Sequence, residues 1–543
     1  MNKLLTVFCA VALCLQALSQ GHQNQPQGIQ AQPQVFPRCI LAGDYADPSI
    51  MREGKDFYMT HSMFNYNPGF LIWHSQDLVN WEPVCRVATK QLSNAWAPEL
   101  FKLNGKYYLY YPANKKVWMC TADNIAGPWT TPIEVEGSEG IDPGHIVDDQ
   151  GNRYLFVHKG RMARLNAEGT ALMTPLKTVH KGWDIPKEWV TEGKWPEKYL
   201  ESPKLIRHNG YYYLTSAEGG TAGPATSHMI VSARAKSLEG PWEESPYNPI
   251  VHTYSATDNW WSKGHGTLID DADGNWWLVY HAYANGYHTL GRQTLLEPVE
   301  WTSDGWFRTK ATQALPKAEK QIKHGFNLSD DFTSSQLGLQ WTFYREYTPK
   351  TVRVGGGSLT LQAKGGDAGT ARYLLITAED KGYDVKVDLK SVSTQSGLML
   401  FYNEKAYSGI TTDGKKFYLY HKGKLIRATV NKRGKKCTIR LRNLGEKMTA
   451  QVSRDGKAWT TLASDMDLSS MNHNELRGFL AVRPGLMAMG KGSATFSHFV
   501  YSSHKPDEKN MKAYLMVYHK DEDHGLHMAI SYDGRQFKAL NND

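Results

Sequence analysis

Residues 201–218 read ESPKLIRHNGYYYLTSAE: a carboxylate at Glu201, a glycine nine residues later at Gly210, then a tyrosine-rich run. The pattern is written five times, with runs GKDFYMTHS from Gly54, GKYYLYYPA from Gly105, GNRYLFVHK from Gly151, GYYYLTSAE from Gly210 and GNWWLVYHA from Gly274. Each follows a short segment with polar or ionisable residues: YADPSIMRE, WAPELFKLN, IDPGHIVDDQ, ESPKLIRHN and GHGTLIDDAD. A glycine in a tight hairpin turn supplies the positive φ that the turn demands. Aromatic and β-branched residues after it make a strand that can be buried on both faces. Repetition near blade length predicts a β-propeller, in which the innermost strand of each blade lines a central channel. The segment before each turn is then that strand. Asp142, Glu201 and His265 each lie nine residues before their glycine, with Asp47 and Glu99 slightly closer to theirs, so one titratable group per blade is expected to gather around the axis. Any one segment alone reads more plainly as polar residues flanking a turn; five in near register favour the propeller.

At 543 residues the chain exceeds what one hydrophobic core usually serves, and two domains are expected. Tyrosine, tryptophan and glycine are frequent, which suits a β-rich protein whose flat rings stack on the apolar faces of sugars. A net charge of +8 is mild for this length, and the clusters Lys415-Lys416 and Lys432 to Lys436 read as solvated hairpin tips, not as a nucleic-acid surface. The first residues, MNKLLTVFCAVALCLQALSQ, read as a signal peptide over 1–19, followed by a flexible lead-in over 20–37 that includes the glutamine-rich stretch Gln23 to Gln34. Leu13 is too bulky for a lipoprotein pattern at Cys14, and no later run is apolar enough to span a membrane. Export to the periplasm or the cell exterior is the expectation. Cys9 and Cys14 leave with the signal; Cys39, Cys85, Cys120 and Cys437 match no zinc spacing and are either buried thiols or include one bridged pair.

The repeats occupy 38–320. HSQDLVNWEP, TADNIAGPWTTP and SARAKSLEGPWEES between them read as outer strands, with Trp81, Trp129 and Trp242 capping blade edges, and LLEPVEWTSDGWFRTK as closing or linking strands. A β-sandwich is expected over 326–503, from short alternating strands such as SLTLQA, DVKVDLK and GLMLFYNE separated by glycine turns. The last stretch, 512–543, resembles part of another blade.

Asp47 in YADPSI, Asp142 in GIDPGHI and Glu201 in YLESPKL each precede a proline or a residue next to one, at similar places in the repeat. Carboxylates clustered in a pocket push their pKa values apart, so that one is ionised and another protonated near neutrality. Hydrolysis of a glycosidic bond needs that division: an acid for the leaving oxygen and a base for water.

The motifs ADPSI, WAPEL, IDPGHIVDDQG, ESPKLIRHNGYYYL, SAEGGT, KGHGTLIDDADGNWWLVYHAY and LGRQTLLEPVEW, in this order from Asp44 to Trp301, resemble glycoside hydrolase family 43. The region opening with DDF and LGLQW resembles the β-sandwich of its β-xylosidase branch. The resemblance implies an all-β chain, a five-bladed propeller followed by a concanavalin-like sandwich, and inverting, metal-independent hydrolysis. By motif, Asp47 resembles the general base, Glu201 the general acid, and Asp142 the third carboxylate that orients the acid and raises its pKa. Arg292 in LGRQT resembles the arginine that binds sugar hydroxyls, with a structural ion pair as its rival reading. Trp96 is a sugar platform or a core tryptophan. His265 resembles a central histidine beside a hydrated calcium ion, and Glu218 in SAEGGT either faces the pocket or braces its loop, with bracing the favoured reading. The implied activity is exo-removal of xylose or arabinofuranose from plant cell-wall polysaccharide or oligosaccharide. An endo-arabinanase, or an exo-enzyme for galactose or galactofuranose, is the alternative within the family. A non-catalytic carbohydrate-binding propeller is the alternative outside it, and would keep the aromatics while free to lose a carboxylate.

Overall fold

The structure is a computed structural model that describes residues 36–90, 92–186, 198–392, 394–432, 436–504, 513–520, 525–531 and 537–540. The signal peptide and nearly all of the lead-in fall outside the described residues. The chain is almost wholly β, and among the described residues no helix is long and apolar enough to cross a membrane.

Five antiparallel sheets form a propeller. The first is Ser49–Glu53, Asp56–Thr60, Gly69–Ser75 and Glu82–Ala88; the second Glu99–Leu103, Lys106–Ala113, Lys116–Ala122 and Ile133–Glu134; the third Gly144–Val147, Arg153–Val157, Arg161–Arg164 and Lys177–Thr178. The fourth joins Glu201–His208, Tyr211–Glu218 and Met229–Ala235 to two short edge pieces. The fifth takes Trp260–Asp270, Trp276–Ala284, Arg292–Trp301 and Phe307–Thr309, and is completed by Arg38–Leu41 from the other end of the domain, with Cys39 opposite Leu295. Ring closure is therefore a strand pairing. The LLEPVEWTSDGWFRTK segment supplies the third and fourth strands of this last sheet.

The repeated glycines have φ of 62° at Gly54, 80° at Gly105, 81° at Gly151, 79° at Gly210 and 80° at Gly274. A Cβ at any of them would meet nothing within 4 Å. Backbone conformation, and not space, is what excludes a side chain there. The innermost strands are stitched to one another around the channel: Thr267 donates its hydroxyl to the Pro48 carbonyl (2.9 Å), Leu100 N–H donates to the Ser49 hydroxyl (2.9 Å), and the Lys204 ammonium donates to the Pro98 carbonyl (2.7 Å). Outside, Trp81 is fully buried and its indole N–H donates to the Leu78 carbonyl (2.9 Å); Trp129 does the same to Ile125 (3.1 Å). Cys39, Cys85, Cys120 and Cys437 are free thiols.

The second domain is a sandwich of an eight-stranded and a seven-stranded sheet. The terminal strand of the eight-stranded sheet is Tyr66–Asn67, a segment of the first propeller blade, with Asn67 opposite Phe343. The two domains thus share a sheet, which reading them as separate segments did not foresee. Residues Tyr514–Lys520, Gly525–Ser531 and Lys538–Ala539 form a separate three-stranded antiparallel sheet.

Trp341, from the LGLQW motif, anchors the sandwich: it is 1% exposed, its indole N–H donates to Asp330 (2.8 Å), and it meets Phe499 edge-on at 4.8 Å. Trp341→Ala is expected to destabilise the sandwich by about 3–5 kcal/mol, read by urea melting; a loss under about 1 kcal/mol would show that this ring is not what holds the layers together.

Candidate active site

The residues that converge at one end of the channel share a backbone peculiarity. Asp47, Asp142 and His265 have φ of 58°, 55° and 54°, and Ser202, directly after Glu201, has 53°. Left-handed conformations at residues with a Cβ are costly and gather where a fold uses them. Here they break the strand alternation and turn the side chains into a pocket lined by Asp47, Phe64, Trp96, Ile141, Asp142, Glu201, Thr221, His265, Arg292 and Phe479.

Asp47 lies deepest. Arg292 donates to both of its oxygens (2.9 and 3.3 Å), Ser62 donates its hydroxyl (2.5 Å), and Asp47's own N–H donates to Nδ1 of His281 (3.1 Å). Burial alone would raise its pKa; the positive charge of Arg292, and then that of His265, outweighs it and holds the carboxyl well below the usual range. His281 is the neutral partner, since burial and Arg292 push its pKa far down.

The imidazole of His265 stands between the carboxylates. Nδ1 lies 3.3 Å from Asp47, and Nε2 lies 3.6 Å from Glu201 and 3.8 Å from Asp142. Burial opposes its charge, but Asp47, Glu201 and Asp142 together raise its pKa. Asp142 accepts the Ser202 N–H (3.1 Å), and burial, followed by the nearby charges of Glu201 and Asp47, raises its pKa above the usual range against the pull of His265. Glu201 is the most open of the three carboxylates, its side chain 26% exposed against 5% for each of the other two.

Glu99, expected to join this group, does not. It lies in regular strand without a left-handed residue, and forms an ion pair with Lys204 while accepting the Ser49 hydroxyl (3.3 Å). Glu218 is fully buried and accepts the Trp183 N–H (2.6 Å), so it braces a loop, and burial raises its pKa to about 8.

Trp96 is part-buried and forms one wall. Beside it Phe479, from the sandwich, meets Trp96 edge-on at 6.4 Å between ring centroids and also lines the pocket. The Arg292 guanidinium sits between Phe64 (5.5 Å) and Phe479 (5.2 Å). Phe479 is held by His473, which stacks on it at 3.9 Å and accepts its N–H, and the same loop clasps the propeller where Asn474 exchanges two hydrogen bonds with Gly223 (2.9 and 3.1 Å). Phe479, Ser62 and His281 are the pocket and support residues that sequence reading missed. His281 stood in the repeat motif GNWWLVYHA, where its type was a signal; Phe479 carried none.

Two sets of donors lie close enough to share an ion: Asp47 with His265 and His281, and Asp142 with Glu201 and His265, each set within 4.8 Å.

Residues 36–307 match Glycosyl hydrolases family 43, and residues 329–502 match the Beta xylosidase C-terminal Concanavalin A-like domain. The chain is 32% identical over 341 residues to a non-reducing end alpha-L-arabinofuranosidase of Bacteroides ovatus, a match that takes in 57% of this chain and 61% of that protein. It is 30% identical over 424 residues to a putative beta-xylosidase of Escherichia coli, covering 68% of this chain and 77% of the relative. Among solved structures, a family 43 protein of Bacillus licheniformis superposes with a TM-score of 0.77 at 27% identity, over 87% of this chain and all (100%) of that one. A xylan beta-1,4-xylosidase of Bacillus halodurans superposes with 0.76 at 26% identity, over 86% of this chain and 100% of that one.

Glu218 makes the site's surroundings pH-sensitive. Its folded pKa of about 8 lies above its ordinary value, so its contribution to stability is fully present below that ordinary value and is lost as pH rises through about 8. Glu218→Gln is expected to melt close to wild type below the ordinary carboxylate range, increasingly above it as pH rises from there to about 8, and by a constant margin beyond. Parallel melting curves across that range would show that Glu218 does not change its charge there.

Proposed function

The chain belongs to family 43 of the glycosyl hydrolases, and from that premise we propose that it is an exo-acting glycosidase releasing a terminal pentose, xylose or arabinofuranose, from plant cell-wall polysaccharide or oligosaccharide. The observation that carries the reading is the meeting of Asp47, Asp142 and Glu201 around His265 in a pocket that the sandwich walls on one side with Phe479. A pocket closed by a second domain suits the end of a chain better than its middle, which favours exo-action over an endo-arabinanase.

In the proposed reaction Asp47 is the base. It stays ionised and takes a proton from the water that attacks the anomeric carbon. Glu201 is the acid and gives its proton to the departing glycosidic oxygen. Asp142 accepts the N–H of Ser202, the residue after Glu201, and so positions the segment that carries the acid. His265 contacts both Asp47 and Glu201. Inversion, the outcome proposed here, requires base and acid carboxylates about 6.5–9.5 Å apart with a water admitted between the base and the sugar. Arg292, besides neutralising Asp47, faces the pocket and supports binding of sugar hydroxyls, with Trp96 as the stacking wall.

Direct ligation of calcium by these residues fits poorly: Ca2+ takes about six to eight oxygen ligands, whereas here the Arg292 guanidinium already occupies Asp47 and His265 offers only nitrogen, so a calcium ion would have to be held beside His265 through its own water. No step of the proposed reaction passes through a metal.

The test is hydrolysis of aryl β-xyloside and aryl α-L-arabinofuranoside by wild type, Asp47→Ala and Glu201→Ala. Turnover of either substrate is expected, with a loss of about 10²-fold or more in each variant, and with the first-formed sugar of inverted anomeric configuration by NMR. Absence of turnover on both sinks the pentosidase reading; binding of oligosaccharides without turnover would favour the carbohydrate-binding propeller, and release of galactose would move the substrate within the family. We further propose that the apolar segment Leu4 to Leu15 directs export. A mature N-terminus beginning near residue 20 in a periplasmic or culture fraction is the expected finding, and an intact Met1 in the cytoplasm the contrary one.

A further inference from the structure

The seven-stranded sheet of the sandwich turns one face to the core, with Val385, Val387 and Leu389 buried, and the alternate residues Lys386 and Lys390 to solvent. On that outward side lies a groove of about 720 Å³ whose lining includes Lys386, Lys390, Lys436 and Arg454. Its carboxylates are already satisfied by neighbours. Asp388 accepts the Thr438 hydroxyl (2.6 Å) and pairs with His498 (3.0 Å), and Asp455 accepts the N–H groups of Lys457 (2.8 Å) and Ala458 (3.0 Å). The cations are not. Among the described residues Lys386, Lys436 and Arg454 have no hydrogen-bond or ion-pair partner, and Lys390 reaches only the Gly357 carbonyl at 3.3 Å.

The strand pairing sharpens the imbalance. Lys386 is the direct cross-strand partner of Arg440, and like charges placed opposite each other destabilise an antiparallel pair. Arg440 is fixed in place by a neutral acceptor and a ring, its Nε donating to Gln451 (2.8 Å) and its guanidinium lying 4.0 Å over Trp459. Burial chiefly lowers its pKa, with Asp384 opposing the shift and Arg442 adding to it. The adjoining Asp384 is taken by Arg442, which chelates it at 2.8 and 3.0 Å.

We propose that this groove is a second carbohydrate-binding site, separate from the pocket at Asp47, and that it holds a polysaccharide segment bearing uronate carboxylates. A carboxylate laid along the groove would neutralise the unpaired amines, and the open trough suits an extended chain better than a compact ion. The choice of a polysaccharide rests on the glycosidase reading; the charge of the site does not. Lys436 is then part of a binding face and not merely of a solvated hairpin tip.

The experiment is affinity electrophoresis of the full chain through gels containing glucuronoxylan, or the same polymer with its carboxyl groups reduced to alcohols. Wild type is expected to bind the acidic polymer roughly tenfold more tightly than the reduced one. The double variant Lys386→Gln/Arg454→Gln is expected to lose that difference while hydrolysing aryl glycosides at the wild-type rate. The proposal is overturned if wild type binds both polymers alike, if the double variant keeps the preference, or if single-stranded DNA retards wild type as strongly as glucuronoxylan does, which would mean unselective attraction to polyanions. Loss of the glycosidase reading would appear separately, as absent aryl-glycoside turnover, and would leave the comparison between the two polymers intact.

Discussion

A carboxylate has been taken out of water at the end of the channel, and the ring of five sheets is arranged to keep it charged. Removing an ion from water costs several kcal/mol even after the protein relaxes, and Asp47 meets that cost with partners from distant parts of the chain. Arg292 comes from the third strand of the last sheet, His281 from the second, His265 from the innermost, and Ser62 from the first blade. The same segments close the propeller: Tyr45 N–H donates to the Arg292 carbonyl (3.0 Å), and Thr294 donates its hydroxyl to the Tyr45 carbonyl (2.7 Å). Closing the ring and neutralising Asp47 are one event, so the site is complete only when the first and last blades have met.

The second domain is fitted to that junction. Arg483 of the sandwich stacks over Tyr66 at 3.5 Å and pairs with Asp44 at 3.4 Å, three residues before Asp47. At Gly43 the domains come so close that a Cβ would stand 2.5 Å from the Ala378 carbonyl oxygen. With Tyr66–Asn67 adding a strand to the sandwich sheet, the interface is continuous hydrogen-bonded structure and not the loose polar contact usual between domains. That rigidity lets Phe479, more than 400 positions from Asp47 in the sequence, serve as a fixed wall of the pocket.

What was legible in the sequence was what local physics repeats. Each blade needs a glycine at its hairpin, so Gly54, Gly105, Gly151, Gly210 and Gly274 marked the strands, and the ionisable residues before them could be counted to a common place. The count failed where the backbone departs from a regular strand. Asp47 and Asp142 enter the pocket because they are left-handed, while Glu99, at a similar offset, remains in the ladder and points to Lys204. Nothing in single-residue spacing distinguishes those cases. Phe479 and the shared strand at Tyr66 were illegible for a different reason: they depend on how two domains dock, and docking leaves no period in the sequence.

The C-terminal sheet shows the same division between local and non-local information within one motif. GLHMAISYDGRQFKAL from Gly525 runs parallel in type to GFLIWHSQDLVNWEPV from Gly69, with glycine, serine and aspartate in register and Phe537 where Trp81 stands. Both form pairs of antiparallel strands, Gly69–Ser75 with Glu82–Ala88 and Gly525–Ser531 with Lys538–Ala539. In the first blade those strands continue outward from Asp56–Thr60, which pairs with the innermost strand Ser49–Glu53, and Trp81 is wholly buried. In the C-terminal sheet Leu515 is 60% exposed and Leu526 73%. The strand-and-turn grammar specifies the hairpins by itself, but a blade becomes a hydrophobic core only against its neighbours in the ring. That is why five copies of one local pattern build the pocket around Asp47, and why the same pattern in the C-terminal sheet leaves Leu515 and Leu526 exposed.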